Sequence, residues 1–194
     1  MRRVDVRGHL AQVTADVHQA LHNDPVLSRL SDPMLTASQY ADALGVFCAT
    51  FHQIEDARAH MQVHPRLTLS DECRALARDL GPAPRTSLHN APLRLEDGHM
   101  VLGALYVAHG AAFGRNTMRK TVRTCLPHHS HAFMSLRPCP DTWRALLHTL
   151  QREGQSAGGL DRIEAGAVRA FEHVATLSCL VAEGRRASVC CTPA

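Results

Sequence analysis

The chain has 194 residues, 45% hydrophobic, 20% charged and 4% aromatic, enough to enclose one ordinary core. Its 21 Lys and Arg against 18 Asp and Glu leave a formal charge of +3, too small and too dispersed for the broad basic face that nucleic-acid binding needs. No run approaches the ~18 consecutive apolar residues of a membrane span, and the first seven residues are not followed by the apolar core of a signal peptide. The expectation is a cytoplasmic protein with neither nucleic acid nor membrane as partner. The seven cysteines (48, 73, 125, 139, 179, 190 and 191) are odd in number and scattered, without a Cys-x-x-Cys pair, so reduced thiols are the simplest reading.

Leu10, Val13, Val17 and Leu21 keep the three-and-four rhythm of one helix face, which predicts a helix of about four turns ended by Asn23-Asp24-Pro25. Tyr40, Leu44, Phe47, Phe51 and Ile54 repeat the rhythm, opened by a capping region at Thr36 and Ser38 and closed near His64-Pro65. Ser70 and Asp71 start a third stretch through Cys73, Leu76 and Leu80, stopped at Gly81-Pro82, and an irregular connection follows to about Pro92. Residues 96–125 are helix formers or small, ending before Pro127 and a His-rich loop. Two more helices are expected at roughly 140–153 and 160–184, on either side of Gly154-Gln155-Ser156-Ala157-Gly158-Gly159. Period-two alternation and internal repeats are both missing, so the fold class is all-α, a single-domain helical bundle over residues 1–185 with a flexible tail at 186–194.

The run Gly103-Ala104-Leu105-Tyr106-Val107-Ala108-His109-Gly110-Ala111-Ala112-Phe113-Gly114 holds three glycines, each costing about 1 kcal/mol relative to alanine within a helix. At 100° per residue, positions 103, 110 and 114 lie within roughly 40° of one another and form a bare backbone stripe. Such a stripe suits either tight helix packing or a kink, or else a flat ligand laid against the backbone. An opposite wall for such a ligand is offered by the first helix, where His18 follows the small residues Ala11 and Ala15. Its imidazole fits a metal ligand, and equally a ring packed at the edge of a bundle.

The segment Leu10-Ala11-Gln12-Val13-Thr14-Ala15-Asp16-Val17-His18 resembles the Leu-x-x-x-Thr-x-x-x-His opening of haem oxygenases, particularly bacterial ones that accompany phytochromes. Leu102 to Gly114 resembles their distal-helix pattern Leu-Gly-x-Leu-Tyr-Val-x-x-Gly-x-x-x-Gly. The stretch Ala165-Gly166-Ala167-Val168-Arg169-Ala170-Phe171 and the helix with Tyr40, Phe51 and Glu55 are similar more loosely. The resemblance implies a haem-oxygenase-like bundle in which His18 is the proximal ligand of haem iron and Gly110 and Gly114 form the catalytic backbone over the porphyrin. A neutral histidine lacks the electron push of a thiolate and suits attack on a meso carbon. The implied reaction converts haem, with O2 and external electrons, to biliverdin, carbon monoxide and ferrous iron. With no flavin or nicotinamide fingerprint in the chain, the electrons are expected from a ferredoxin-type or other reductase. A bacteriophytochrome is the implied acceptor for the bilin.

Several positions depart from that pattern. Ala11 stands where relatives often place a basic partner for a haem propionate, leaving Arg7, one turn earlier, and Arg144 as candidates. His109 and Ala111 flank Gly110 where relatives often carry an acid and a serine, and Arg115 replaces a frequent glycine. These changes motivate an alternative, a non-catalytic haem-binding or delivery protein on the same fold. Cys139-Pro140 has the form of a haem-thiolate dipeptide, but two common residues also meet by chance. The loop histidines 128, 129 and 131 read as solvated imidazoles, and the i, i+4 pair His60 and His64 lacks the Glu that a zinc hydrolase requires, so neither group is assigned to the site.

Overall fold

The computed structural model describes residues 4–81 and 91–190, with the side chains of 186–190 excepted, and among these no strand occurs. Eight helices follow in order among the described residues: α1 (Val6–Val13), α2 (Ala15–Leu21), α3 (Ala37–His60), α4 (Ser70–Leu80), α5 (Gly98–Cys125), α6 (Ala132–Ser135), α7 (Pro140–Glu153) and α8 (Gly159–Cys190). The all-α class is as expected. Most of the connection expected at 81–92 lies outside the described residues, as do 191–194 of the expected tail. The helical backbone of α8 runs on through 186–190.

The opening helix differs from its expected form, because it is bent at Thr14 into two. Thr14 is buried, and its hydroxyl donates to the Leu10 carbonyl at 2.7 Å. That i−4 back-bond is a recognised cause of helix bending. The backbone ladder continues across the bend, with Thr14 N–H donating to Leu10 O and His18 N–H to Thr14 O. The consequence is a change of environment. Val6 and Leu10 of α1 are buried, whereas no residue of α2 is.

α3 carries a full capping box, Thr36 with Gln39, and buries the apolar face read from the sequence. It stops at His60, earlier than expected, because Gln62 turns into the left-handed region at φ 54° and Pro65 opens a separate 3-10 turn, Pro65–Leu67. Glu55 joins α3 to α4 by accepting from the Thr68 hydroxyl at 2.6 Å, the Leu69 N–H at 2.9 Å and the Arg58 guanidinium. Burial alone would raise this carboxyl, but those bonds outweigh it and hold it below the usual range. Asp79 on α4 does similar work for the His-rich loop, accepting from the Ala132 and Phe133 N–H groups at 2.8 and 2.9 Å.

Asp97 caps α5 through the Met100 N–H, and this helix packs most extensively against α8. The contact is backbone on backbone. A Cβ at Gly103 would overlap the Ile163 carbonyl and come within 2.7 Å of the Ala167 nitrogen. One at Gly166 would overlap the Met100 carbonyl. Glycines on both helices therefore bring the two axes together, with Val101, Ala104, Leu105, Ile163 and Ala167 closing the core around them.

Candidate haem site

The three glycines of α5 have different surroundings, which divides the single stripe expected from their spacing. Gly103 is closed by α8, while a Cβ at Gly110 or Gly114 would meet nothing within 4 Å. Both readings of the stripe thus apply, each to its own part of the helix. Gly110 is half-buried and Gly114 exposed.

α2 and α5 each pack on α8 and have no extensive contact with one another. α7 packs on α1 and on α5. The elements that carry His18 and the open glycines are therefore held apart on shared supports. His18 lies on α2, its ring edge-on to Phe171 of α8 (centroids 5.8 Å apart) and to His22 one turn on (5.1 Å). His18 is exposed, and the partial desolvation of its ring lowers its proton affinity, with His22 adding to the effect. A neutral imidazole with an available nitrogen lone pair is the form that a metal requires.

The propionate candidates separate. Arg144 is 77% exposed and pairs with Asp141, one turn back on α7, at 3.1 Å. That is an ordinary surface ion pair of little energetic weight. Arg7 is exposed on α1, and its charge reaches Tyr106 on α5: burial raises that phenol, and Arg7 opposes the rise.

The departures on α5 resolve into structural roles. His109 turns toward the 3-10 turn before α4, its Nε2 3.1 Å from the Leu67 carbonyl, which makes that nitrogen the donor. Burial lowers its proton affinity, opposed by that bond and by the charge of Glu72. It lines a cavity of about 190 Å³ together with Glu72, Thr68, Phe113 and Cys139. The Cys139 thiol, at the head of α7, is held below the usual thiol range by the Thr142 hydroxyl and the backbone N–H groups there. Arg115 is only 1% exposed, with its guanidinium 4.4 Å over the Phe133 ring and 3.8 Å from the Glu72 carboxylate. Its nitrogens have no hydrogen-bond partner. Among the described residues no three His, Cys, Asp or Glu side chains are grouped to hold a metal ion.

Sequence reasoning missed an aromatic corner beside Gly110. Trp143 of α7 stacks on Tyr106 (5.7 Å, 27° between planes) and meets Phe113 edge-on (5.2 Å, 69°). Tyr106, Gly110 and Phe113 follow i, i+4, i+7 spacing, so that signal was present on α5, but nothing local brings Trp143 to it.

These features define an all-α bundle with the fold of haem oxygenases. The structure is similar to that of haem oxygenase from Leptospira interrogans, with a TM-score of 0.69 and 15% identity, covering 90% of this chain and 98% of that one. It is also similar to haem oxygenase-1 from the cyanobacterium Synechocystis in complex with haem, with a TM-score of 0.74, 14% identity and 96% of each chain covered. No family profile and no curated protein matches the sequence.

Proposed function

We propose that the chain is a haem oxygenase, binding haem between α2 and α5 and degrading it with O2 and external electrons to biliverdin, carbon monoxide and ferrous iron. The observation that carries this reading is the pair of helical glycines, Gly110 and Gly114, with open space where side chains would stand. Evolution of a stable helix favours alanine at such positions by about 1 kcal/mol each, so their retention points to something flat and close. His18 fits the iron ligand, as a neutral imidazole supported by Phe171 and His22. Bound haem would supply both the iron that activates oxygen and the meso carbon that leaves as carbon monoxide. The chain's part is to hold the ring between imidazole and bare backbone, and to let oxygen approach one edge. Arg7 is the better placed propionate partner, with Arg144 reaching one only by leaving Asp141. A ferredoxin-type or other reductase supplies electrons in this reading, a bacteriophytochrome takes the bilin, and the setting is the cytoplasm. The haem-oxygenase domain is taken as residues 1–185.

One observation favours haem binding or delivery without oxidation. His109 is tied to the Leu67 carbonyl, Ala111 has no hydroxyl and Arg115 points into the core, so these departures place no polar side chain over the glycines. Titration with hemin followed by reductant in oxygen separates the readings. Turnover predicts loss of the Soret band with growth of bilin absorbance, and His18→Ala should abolish the histidine-ligated spectrum. A Soret band that persists in oxygen and reductant establishes the delivery reading, and no saturable shift removes haem altogether.

A further inference from the structure

Gln53 of α3 spends both ends of its amide on parts of the chain far from it in sequence. Its Oε1 accepts from the Leu93 N–H at 2.6 Å, and its Nε2 donates to the Ala91 carbonyl at 3.2 Å. These two bonds fix which way the amide faces, because exchanging oxygen and nitrogen would set acceptor against acceptor and donor against donor. The remaining N–H is then directed at Nε2 of His173 on α8, 3.4 Å away. Only a ring nitrogen with a free lone pair accepts from it, so His173 is the neutral tautomer that carries its proton on Nδ1.

The register of α5 and α8 explains the meeting. Gly166 lies against Met100 and Gly103 against Ile163, so the two helices run antiparallel and residue 173 of α8 comes level with residue 93, just ahead of α5. Ala91 and Leu93 are half-buried and Pro92 is exposed, so little apolar packing holds the segment down. His173 beneath it is only 7% exposed. Among the described residues no charge perturbs the ring: Asp56 of α3, Arg94 and Glu96 beyond the segment, and Arg169 and Glu172 of α8 leave its proton affinity unmoved, and burial alone lowers it.

A proton on Nε2 of His173 would set N–H against N–H. Gln53 cannot turn its amide over without giving up Leu93 and Ala91, so either the ring or the segment must move away. We propose that Gln53 and His173 form an acid-released latch, which holds Ala91–Leu93 on α3 and α8 at neutral pH and frees this last part of the connection from α4 to α5 when the ring is protonated. The latch goes beyond the haem reading and does not depend on it. Its sign follows from which state binds the proton: a ring exposed by opening recovers an ordinary imidazole affinity, so opening is favoured as pH falls below about 6.5.

Amide hydrogen exchange of the haem-free chain tests it, with rates at pH 7 and pH 5 corrected for the intrinsic effect of pH. The Leu93 N–H reports the latch directly, since it donates to Gln53, and the N–H of the buried Ile54 in α3 reports opening of the whole fold. In the parent, Leu93 protection should fall about tenfold or more from pH 7 to pH 5 and stand below that of Ile54 at the lower pH. His173→Gln offers an amide oxygen that accepts without titrating, so Leu93 should keep its pH 7 protection at pH 5. His173→Phe removes the acceptor and the proton site together, and should leave Leu93 less protected at both values with no fall between them. Leu93 protection that does not change with pH in the parent, that falls equally in either His173 variant, or that matches Ile54 at pH 5 would overturn the latch, and none of these outcomes bears on whether the chain binds haem.

Discussion

The two ends of α5 use the same residue for opposite purposes. At Gly103 the missing side chain lets the α8 backbone come within contact, and Gly166 on α8 answers it at Met100. Two turns on, at Gly110 and Gly114, the missing side chain leaves space that none of the described residues fills. In the first region the glycine's cost in helix propensity is offset by packing within the molecule; in the second no packing among the described residues offsets it. The imbalance separates a glycine closed by packing from one left open more sharply than spacing does.

The largest expected effect breaks the closed end. Gly103→Leu or Gly166→Leu must push two backbones apart, so the chain should lose its cooperative fold; even Gly103→Ala should cost about 3 kcal/mol or more, since a carbonyl cannot swing aside as a flexible side chain does. Urea unfolding followed by circular dichroism measures this, and a wild-type midpoint for Gly103→Ala would show that the contact can relax.

Next comes His18, the proposed ligand. Partial desolvation and then His22 lower the proton affinity of the exposed His18, which favours its neutral form. Ligation needs that neutral form, and the iron competes further with the proton. The histidine-ligated Soret spectrum should therefore be stable at pH 7 and be lost on acidification, with a midpoint below about 6.5. For the chain without haem the depressed proton affinity has the complementary sign: unfolding is favoured as pH falls through the unfolded value, because the unfolded imidazole takes up the proton more readily. A spectrum titrating above that range, or the same transition in His18→Ala, would assign the ligand to another group.

The helices were legible because an apolar face repeats every three or four residues wherever a helix is buried on one side, as with Tyr40, Leu44, Phe47, Phe51 and Ile54. The bend at Thr14 was not, since it depends on a hydroxyl being buried and having no acceptor nearer than the Leu10 carbonyl. Angular position alone placed Gly103, Gly110 and Gly114 together, but it says nothing about where α8 leaves α5. For the same reason the sequence marked Arg115 only as a departure from a glycine pattern, although it lies over Phe133 beside Glu72, from elements far away in the chain. Trp143 carries no such signal in the sequence, because an indole acquires its ring contacts only from the helix it meets.

A smaller effect is expected at the open end with a bulky substituent. Gly110→Leu and Gly114→Leu project into space and relieve the glycine penalty, so the haem-free chain should unfold at or slightly above the parent midpoint. Single turnover should nevertheless fall at least about tenfold, near 1.4 kcal/mol in barrier, with hemin affinity changed less. Loss of affinity without loss of rate in the bound fraction would place the open backbone at an entry path instead of beneath the reacting ring.

The smallest effect has the opposite sign and is the most discriminating. Both open glycines are helical with unstrained backbones, so Gly110→Ala and Gly114→Ala should stabilise the haem-free chain, each by about 0.5–1 kcal/mol. Gly103→Ala differs from them only in what stands opposite, so one substitution made at three positions of one helix should destabilise at the first and stabilise at the other two. If Ala at 110 or 114 also destabilises, some part of the chain closes over that backbone in solution, and the case for a flat ligand there is lost. If both stabilise while hemin turnover declines, the glycines are kept at a cost to folding for the sake of what lies against them.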